Sequence, residues 1–235
     1  MLNEFETMGV DVASSLKKHC EDLEKHIKSE FVDHLSGVSA REDSRAFGAM
    51  VERRITDNWE AICKKSGVEP LDIPGRRSIF DCAYKDNGFI YGLDVKTKDL
   101  DSTSYSDGGI CAVGNLLKFL ANDKGIFLIV EVGHTATSGA KSARDIEYIH
   151  VAPFSCLPAD SYRIENLGTG QVRLNYSVNQ VHDEIDWNRP NNTFFDIFTD
   201  LAISHYERVG RDAKKRIDSI NAFKANGYKE FSFAR

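Results

Sequence analysis

Apolar residues recur at helical spacing over residues 10–35, where Val12, Leu16, Leu23, Ile27 and Phe31 fall near one face, so the pattern predicts an amphipathic helix. A second stripe of Phe47, Val51, Ile55, Trp59 and Ile62 predicts a helix from about Glu42 to Ser66, stopped by Gly67 with Pro70 beyond it. The period then changes. From Ser78 to Asp99 the chain reads SIFDCAYKDNGFIYGLDVKTKD, two β-prone runs around Asn87-Gly88. That dipeptide suits a type I′ hairpin turn, in which both central residues need positive φ.

A Ser/Asp/Gly-rich loop from Asp99 to Gly109 leads to a predicted helix around Cys111–Asn122. GIFLIVEV follows, continuous enough in apolar character to be a strand buried in a sheet. Ile146–Val151 reads as another strand, and Tyr162–Glu165 with Gln171–Asn175 as a second hairpin across Leu167–Gly170. A long helix from Phe194 to about Phe223 closes the pattern. This order of elements predicts an α/β fold with a mixed central β-sheet flanked by helices. With no repeat, low-complexity tract or Pro/Ser-rich linker, one domain is expected. Its parts are N-terminal helices to about residue 66, a core over about 67–155, and a hairpin, loop and C-terminal helix over about 156–235.

Composition narrows the setting. No apolar run reaches the roughly 18 residues of a membrane span, and the first residues show no basic-then-apolar leader, so no membrane partner is expected. Cys20, Cys63, Cys82, Cys111 and Cys156 are scattered without a CxxC spacing, which points to reduced thiols and a cytoplasmic location and argues against a zinc site. None of the seven histidines pairs with a Cys or Asp at metal-ligand spacing, so His134, His150 and the others read as structural or surface residues. The net charge of −6 opposes nucleic-acid binding only on average. Residues 1–36 carry four basic and eight acidic side chains, whereas residues 201–235 carry eight basic and four acidic. The distribution matters more than the total.

The candidate chemistry lies on the first hairpin. Asp81 stands six residues before Asn87, and Asp94 six after Gly88, so a two-residue turn sets them directly opposite. Side chains alternate along a strand, which puts Lys96 on the face of Asp94 and turns Leu93 and Val95 to the other. Two carboxylates facing across strands repel and need a compensating charge. A hard divalent ion such as Mg²⁺ takes oxygen ligands, keeps waters and accepts substrate phosphate. Lys96 would then orient or help deprotonate an attacking water and offset developing charge. Asp, Asp and Lys fit metal-assisted phosphodiester hydrolysis better than sugar hydrolysis, where a lysine has no evident task. Lys85 and Asp86 beside the turn read as solvated turn residues.

This stretch resembles the PD-(D/E)xK nucleases, with Phe80-Asp81 where the family usually has Pro-Asp and Asp94-Val95-Lys96 as the second half. More narrowly, it looks like type II restriction endonucleases of the EcoRV-like and HincII-like branch. The acids stand thirteen positions apart, Leu93-Asp94-Val95-Lys96-Thr97 matches that branch's central strand, and a polar loop, helix, apolar strand and final basic helix follow. The resemblance covers about residues 45–135. It implies a restriction-endonuclease-like core and a homodimer that cuts double-stranded DNA with Mg²⁺. It also implies Asp81 and Asp94 as metal ligands, Lys96 as the third catalytic residue, and a cognate DNA methyltransferase acting on the same site.

Family members often carry a glutamate on the preceding helix, and Glu52 fits that place. It lies about 100° around the helix from Val51, at the border of the apolar stripe, while Glu60 lies about 180° away. Glu52 is an auxiliary metal residue or a plain boundary glutamate. The loop Ser102–Gly109, with Ser104, Tyr105, Gly108 and Gly109, either cradles the DNA backbone or is a simple connection. Within Gln171–Trp187, Arg173, Asn175, Asn179 and Gln180 can bond base edges, though a polar edge strand and loop would read alike. Two other functions compete: a repair nickase or junction-resolving nuclease of the same fold, and a non-catalytic DNA-binding protein with a relic motif. The intact Asp81, Asp94 and Lys96 oppose the latter.

Overall fold

The computed structural model describes residues 12–35, 44–73, 79–102, 109–121, 125–136, 144–165 and 170–226. Helix α1 (Val12–Leu35) buries Cys20, Leu23 and Ile27, as its apolar spacing requires. The stripe from Phe47 to Ile62 is buried along its length, but the helix carrying it is interrupted. α2 (Ser44–Asp57) stops at a turn on Asn58, and α3 (Trp59–Ser66) starts anew. The Asn58 side-chain amide donates to the Arg54 carbonyl at 2.8 Å, competing with the helical ladder for that acceptor. The indole N–H of Trp59 donates to the Ala83 carbonyl at 2.7 Å, which ties α3 to the hairpin strand.

The strands are β1 (Glu69–Pro70), β2 (Cys82–Asp86), β3 (Phe89–Asp99), β4 (Gly109–Ala112), β5 (Gly125–Ala136), β6 (Arg144–Pro153), β7 (Tyr162–Glu165) and β8 (Gln171–Leu174). Five form a mixed sheet in the order β1-β2-β3-β5-β6. Only the β3–β5 pairing is parallel there, reached by a crossover through β4 and the helix α4 (Val113–Leu120). The remaining strands form a second sheet, β4-β8-β7. The second hairpin therefore exists, but β8 is the central strand of its sheet and not an edge. The last helix, α5, runs Asn191–Ala225.

The mixed sheet is covered on both faces. On one, Leu93, Val95, Leu128, Val130 and Val151 pack with α1, α2 and α3. On the other, Phe127, Ile129 and Ala152 pack with α4, the small sheet and Phe194, Phe198 and Ala202 of α5. β3 and β5 are thus buried on both sides, which is why GIFLIVEV lacks alternation. The chain is a mixed α/β protein built on a mixed five-stranded sheet flanked by helices. No described helix is long and apolar enough to cross a membrane.

Candidate active site on the first hairpin

The β2–β3 hairpin has the register expected from its turn. Asn87 and Gly88 take φ of 47° and 84°, and the pairing runs from Asp86↔Phe89 to Cys82↔Leu93. One step further, the Asp81 amide donates to the Leu93 carbonyl at 2.7 Å, and an Asp81 carboxylate oxygen accepts from the Val95 amide at 2.7 Å. The Asp81 side chain therefore continues the ladder where β2 has ended. Phe80, just before Asp81, is half-buried against α4 and lies 5.3 Å from the Phe119 ring. A Cβ on Gly92 would stand 2.5 Å from the Phe80 ring, so the glycine makes room for the aromatic that anchors the chain before Asp81.

Asp94 is 4% exposed, on the sheet face opposite Leu93 and Val95. Its Oδ2 meets Lys96 Nζ at 2.5 Å, and no directed hydrogen bond reaches that buried oxygen among the described residues. Burial raises the Asp94 carboxyl to about 7, with Lys96 working against the rise and Asp81 and Glu52 adding to it. Glu52 is exposed on α2, and its carboxyl is raised by partial burial and by Asp81 and lowered by Lys96. Four groups thus sense one another: Asp81, Asp94, Lys96 and Glu52. The charge that Asp81 and Glu52 bring to bear on Asp94 is answered in part by Lys96.

Cys111 of β4 borders this group. Its thiol is pushed up to about 12 by burial first and by Asp94 second. β4 pairs with β8 through Gly109↔Arg173, so the small sheet starts beside the acids. A carboxylate pair backed by an ammonium, with one acid buried and awkward to ionise, is a donor set suited to a hard divalent cation. A cavity of about 230 Å³ lies elsewhere, at the turn end of the hairpin, lined by His19, Asp86, Tyr91, Phe127, Trp187 and Phe195. None of the four site residues lines it.

The remaining candidates are already engaged. Arg173 donates to Glu165 at 2.8 Å, Asn175 accepts from Arg163 at 2.9 Å, and Gln180 accepts from the Ser177 amide at 2.9 Å. Asn179 accepts from His150 at 3.0 Å. These four support the small sheet and the 3₁₀ segment Asn179–Glu184, so base contact would require them to exchange partners. Gly109 begins β4, while Ser104, Tyr105 and Gly108 lie outside the described residues.

One buried acid escaped the sequence reading. Glu131 of β5 is 1% exposed and pairs laterally with Lys96. It accepts from the Val178 and Asn179 amides at 2.9 and 3.1 Å and from the Tyr148 hydroxyl at 3.0 Å. Those bonds fasten the 3₁₀ segment to the strand beside the candidate site. A lone acid inside GIFLIVEV was the available signal. Comparison with protein-family models gives no match, and no curated protein matches the sequence.

Proposed function

We propose that this protein is a Mg²⁺-dependent endonuclease that hydrolyses phosphodiester bonds of double-stranded DNA, with a restriction-endonuclease-like core. The observation that carries this reading is the set of groups at the end of the hairpin: Asp81 held by the Val95 amide, and Asp94 buried with its Oδ2 2.5 Å from Lys96 Nζ. Asp81 and Asp94 would hold Mg²⁺, which supplies Lewis acidity toward phosphate and water. Lys96 places a positive charge where the pentavalent phosphate gathers negative charge, and it orients the attacking water. Glu52 is the auxiliary carboxylate. Water oxygen adds to phosphorus as the 3′ oxygen leaves, giving a 5′-phosphate and a 3′-hydroxyl.

A type II restriction enzyme is the form of this activity that the motif resembles. Each chain carries one such hairpin, and cutting two strands at a palindromic site calls for two chains in C₂ symmetry. Sedimentation with DNA is expected to show two chains, and a cognate methyltransferase would protect the same site. The deciding test is incubation with long duplex DNA, with and without Mg²⁺, followed by sequencing of the ends. Discrete Mg²⁺-dependent ends at one sequence support the proposal. Cleavage confined to nicked or branched DNA would reassign the same chemistry to a repair nickase or junction resolvase, and no cleavage of any DNA would remove the nuclease reading.

A further inference from the structure

Glu24 of α1, His150 of β6 and His182 of the 3₁₀ segment are far apart in sequence but meet at the open edge of the mixed sheet. One carboxylate oxygen and one nitrogen from each ring lie within 4.8 Å of one another. The two imidazole centroids are 4.4 Å apart. The environment of His150 determines what the cluster lacks. Its Nε2 is 3.0 Å from the Asn179 side-chain oxygen, which can only accept, so Nε2 carries the proton. Nδ1, the other ring nitrogen, faces Glu24; burial lowers the imidazole, but Glu24 and Asn179 outweigh it and raise the group above its ordinary value. Nδ1 is buried, has no hydrogen-bond partner among the described residues, and stands 3.8 Å from Glu24 Oε1.

Glu24 Oε1 is itself an acceptor, fixed by the Val151 amide at 2.7 Å. Glu24 therefore favours positive charge at this nitrogen, in a half-buried place with a second imidazole alongside: a proton supplies it in the free protein, and a metal ion bridging the three groups would replace that proton. An oxygen acceptor that fixes the tautomer of a ligating histidine is also the usual outer partner of a metal-bound imidazole.

We propose that Glu24, His150 and His182 bind a borderline divalent transition-metal ion of the Zn²⁺ class, with water completing a four-coordinate shell and Asn179 orienting His150. Two imidazoles and one carboxylate favour Zn²⁺ over Mg²⁺, which prefers oxygen ligands and keeps its waters. The site is separate from the hairpin acids: His150 lies across Glu131 from Lys96, two strands away or about 10 Å. Bound metal would staple α1, the edge strand β6 and the 3₁₀ segment to one another.

The test uses the full chain freed of metal, titrated with Zn²⁺ by calorimetry and with Co²⁺ by visible absorption. The expected result is one Zn²⁺ per chain, not displaced by excess Mg²⁺, and a Co²⁺ spectrum of a tetrahedral nitrogen/oxygen site. His182→Ala, at a partly exposed position that should not disturb folding, is expected to weaken Zn²⁺ binding about tenfold or more and to erase that spectrum. Glu24→Gln should weaken binding while keeping an acceptor for Val151. Asp94→Asn should leave Zn²⁺ affinity unchanged. Failure of the wild-type chain to bind Zn²⁺, or affinity undiminished in both His182→Ala and Glu24→Gln, overturns the proposal.

Discussion

Lys96 Nζ stands 2.5 Å from Asp94 Oδ2, two residues along the same strand and the same face. That ion pair makes the ammonium a partner of the buried acid and, in the proposed nuclease, also a charge available to substrate. Lys96→Ala is therefore expected to lower single-turnover cleavage about 100-fold or more. Folding should survive, because the hydrophobic face of β3 is the other one. A thermal melt and a single-turnover assay check both halves, and near-normal turnover would remove Lys96 from the mechanism.

The raised carboxyl of Asp94 predicts how stability depends on pH. Folded Asp94 holds its proton up to about 7, above its value in an unfolded chain. Without divalent metal, stability should thus fall as pH rises between about 4 and 7, then level off, by roughly 2–4 kcal/mol across the window. Asp94→Asn should flatten that slope. Urea unfolding in EDTA at about pH 5 and about pH 8 measures it, and equal slopes for the two proteins would show that Asp94 ionises as easily folded as unfolded.

In the proposed nuclease, divalent ions should also govern DNA affinity. Asp81, Asp94 and Glu52 together repel phosphate, and an ion bound among them reverses the local sign. Wild-type protein should bind its DNA weakly in EDTA and more tightly in Ca²⁺, which neutralises the site but fits the reaction geometry poorly. Asp94→Asn should bind with less dependence on metal and not cut in Mg²⁺. Titrations of labelled DNA in EDTA, Ca²⁺ and Mg²⁺ test this; affinity indifferent to Ca²⁺ in wild type, with cleavage intact in the variant, would move the metal site off the hairpin.

Glu131 should matter to stability out of proportion to its size. Replacing it by Ala strands the Val178 and Asn179 amides and the Tyr148 hydroxyl, at a cost of about 2–4 kcal/mol. Gln keeps one carbonyl acceptor and should lose less. Urea denaturation of the two variants decides it, and an Ala variant as stable as wild type would show that these donors find other acceptors.

The hairpin was legible in the sequence because its determinants are local. Asn87-Gly88 fixes the turn, and the pairing runs in the expected register from Asp86↔Phe89 to Cys82↔Leu93; beyond it Asp81 leaves the regular ladder and is held by the Leu93 carbonyl and the Val95 amide. The burial of β5 within the sheet was likewise written in an apolar run broken only by Glu131. What escaped depends on contacts between distant segments. The break at Asn58 follows from one side-chain amide and from Trp59 reaching Ala83. The pairing of β4 with β8 joins segments some sixty residues apart, without a shared pattern. Glu24, His150 and His182 carry no common spacing, so only the fold brings them together. Arg173 and Asn175 looked free to read bases because residue type alone does not reveal Glu165 and Arg163 as their partners.

The exposed tip of a hairpin is ordinarily where a chain accepts insertions most readily. Here the tip measures the distance to the chemistry. The pairing from Asp86↔Phe89 to Cys82↔Leu93 decides which residues of β3 stand beside Asp81, and one added residue would slip the ladder by a position. Asp81 would then sit opposite a residue that points into the hydrophobic core, with nothing near the turn itself disturbed. A loop that touches none of the candidate groups thereby becomes as intolerant of a change in length as the proposed chemistry makes the acids of a change in kind.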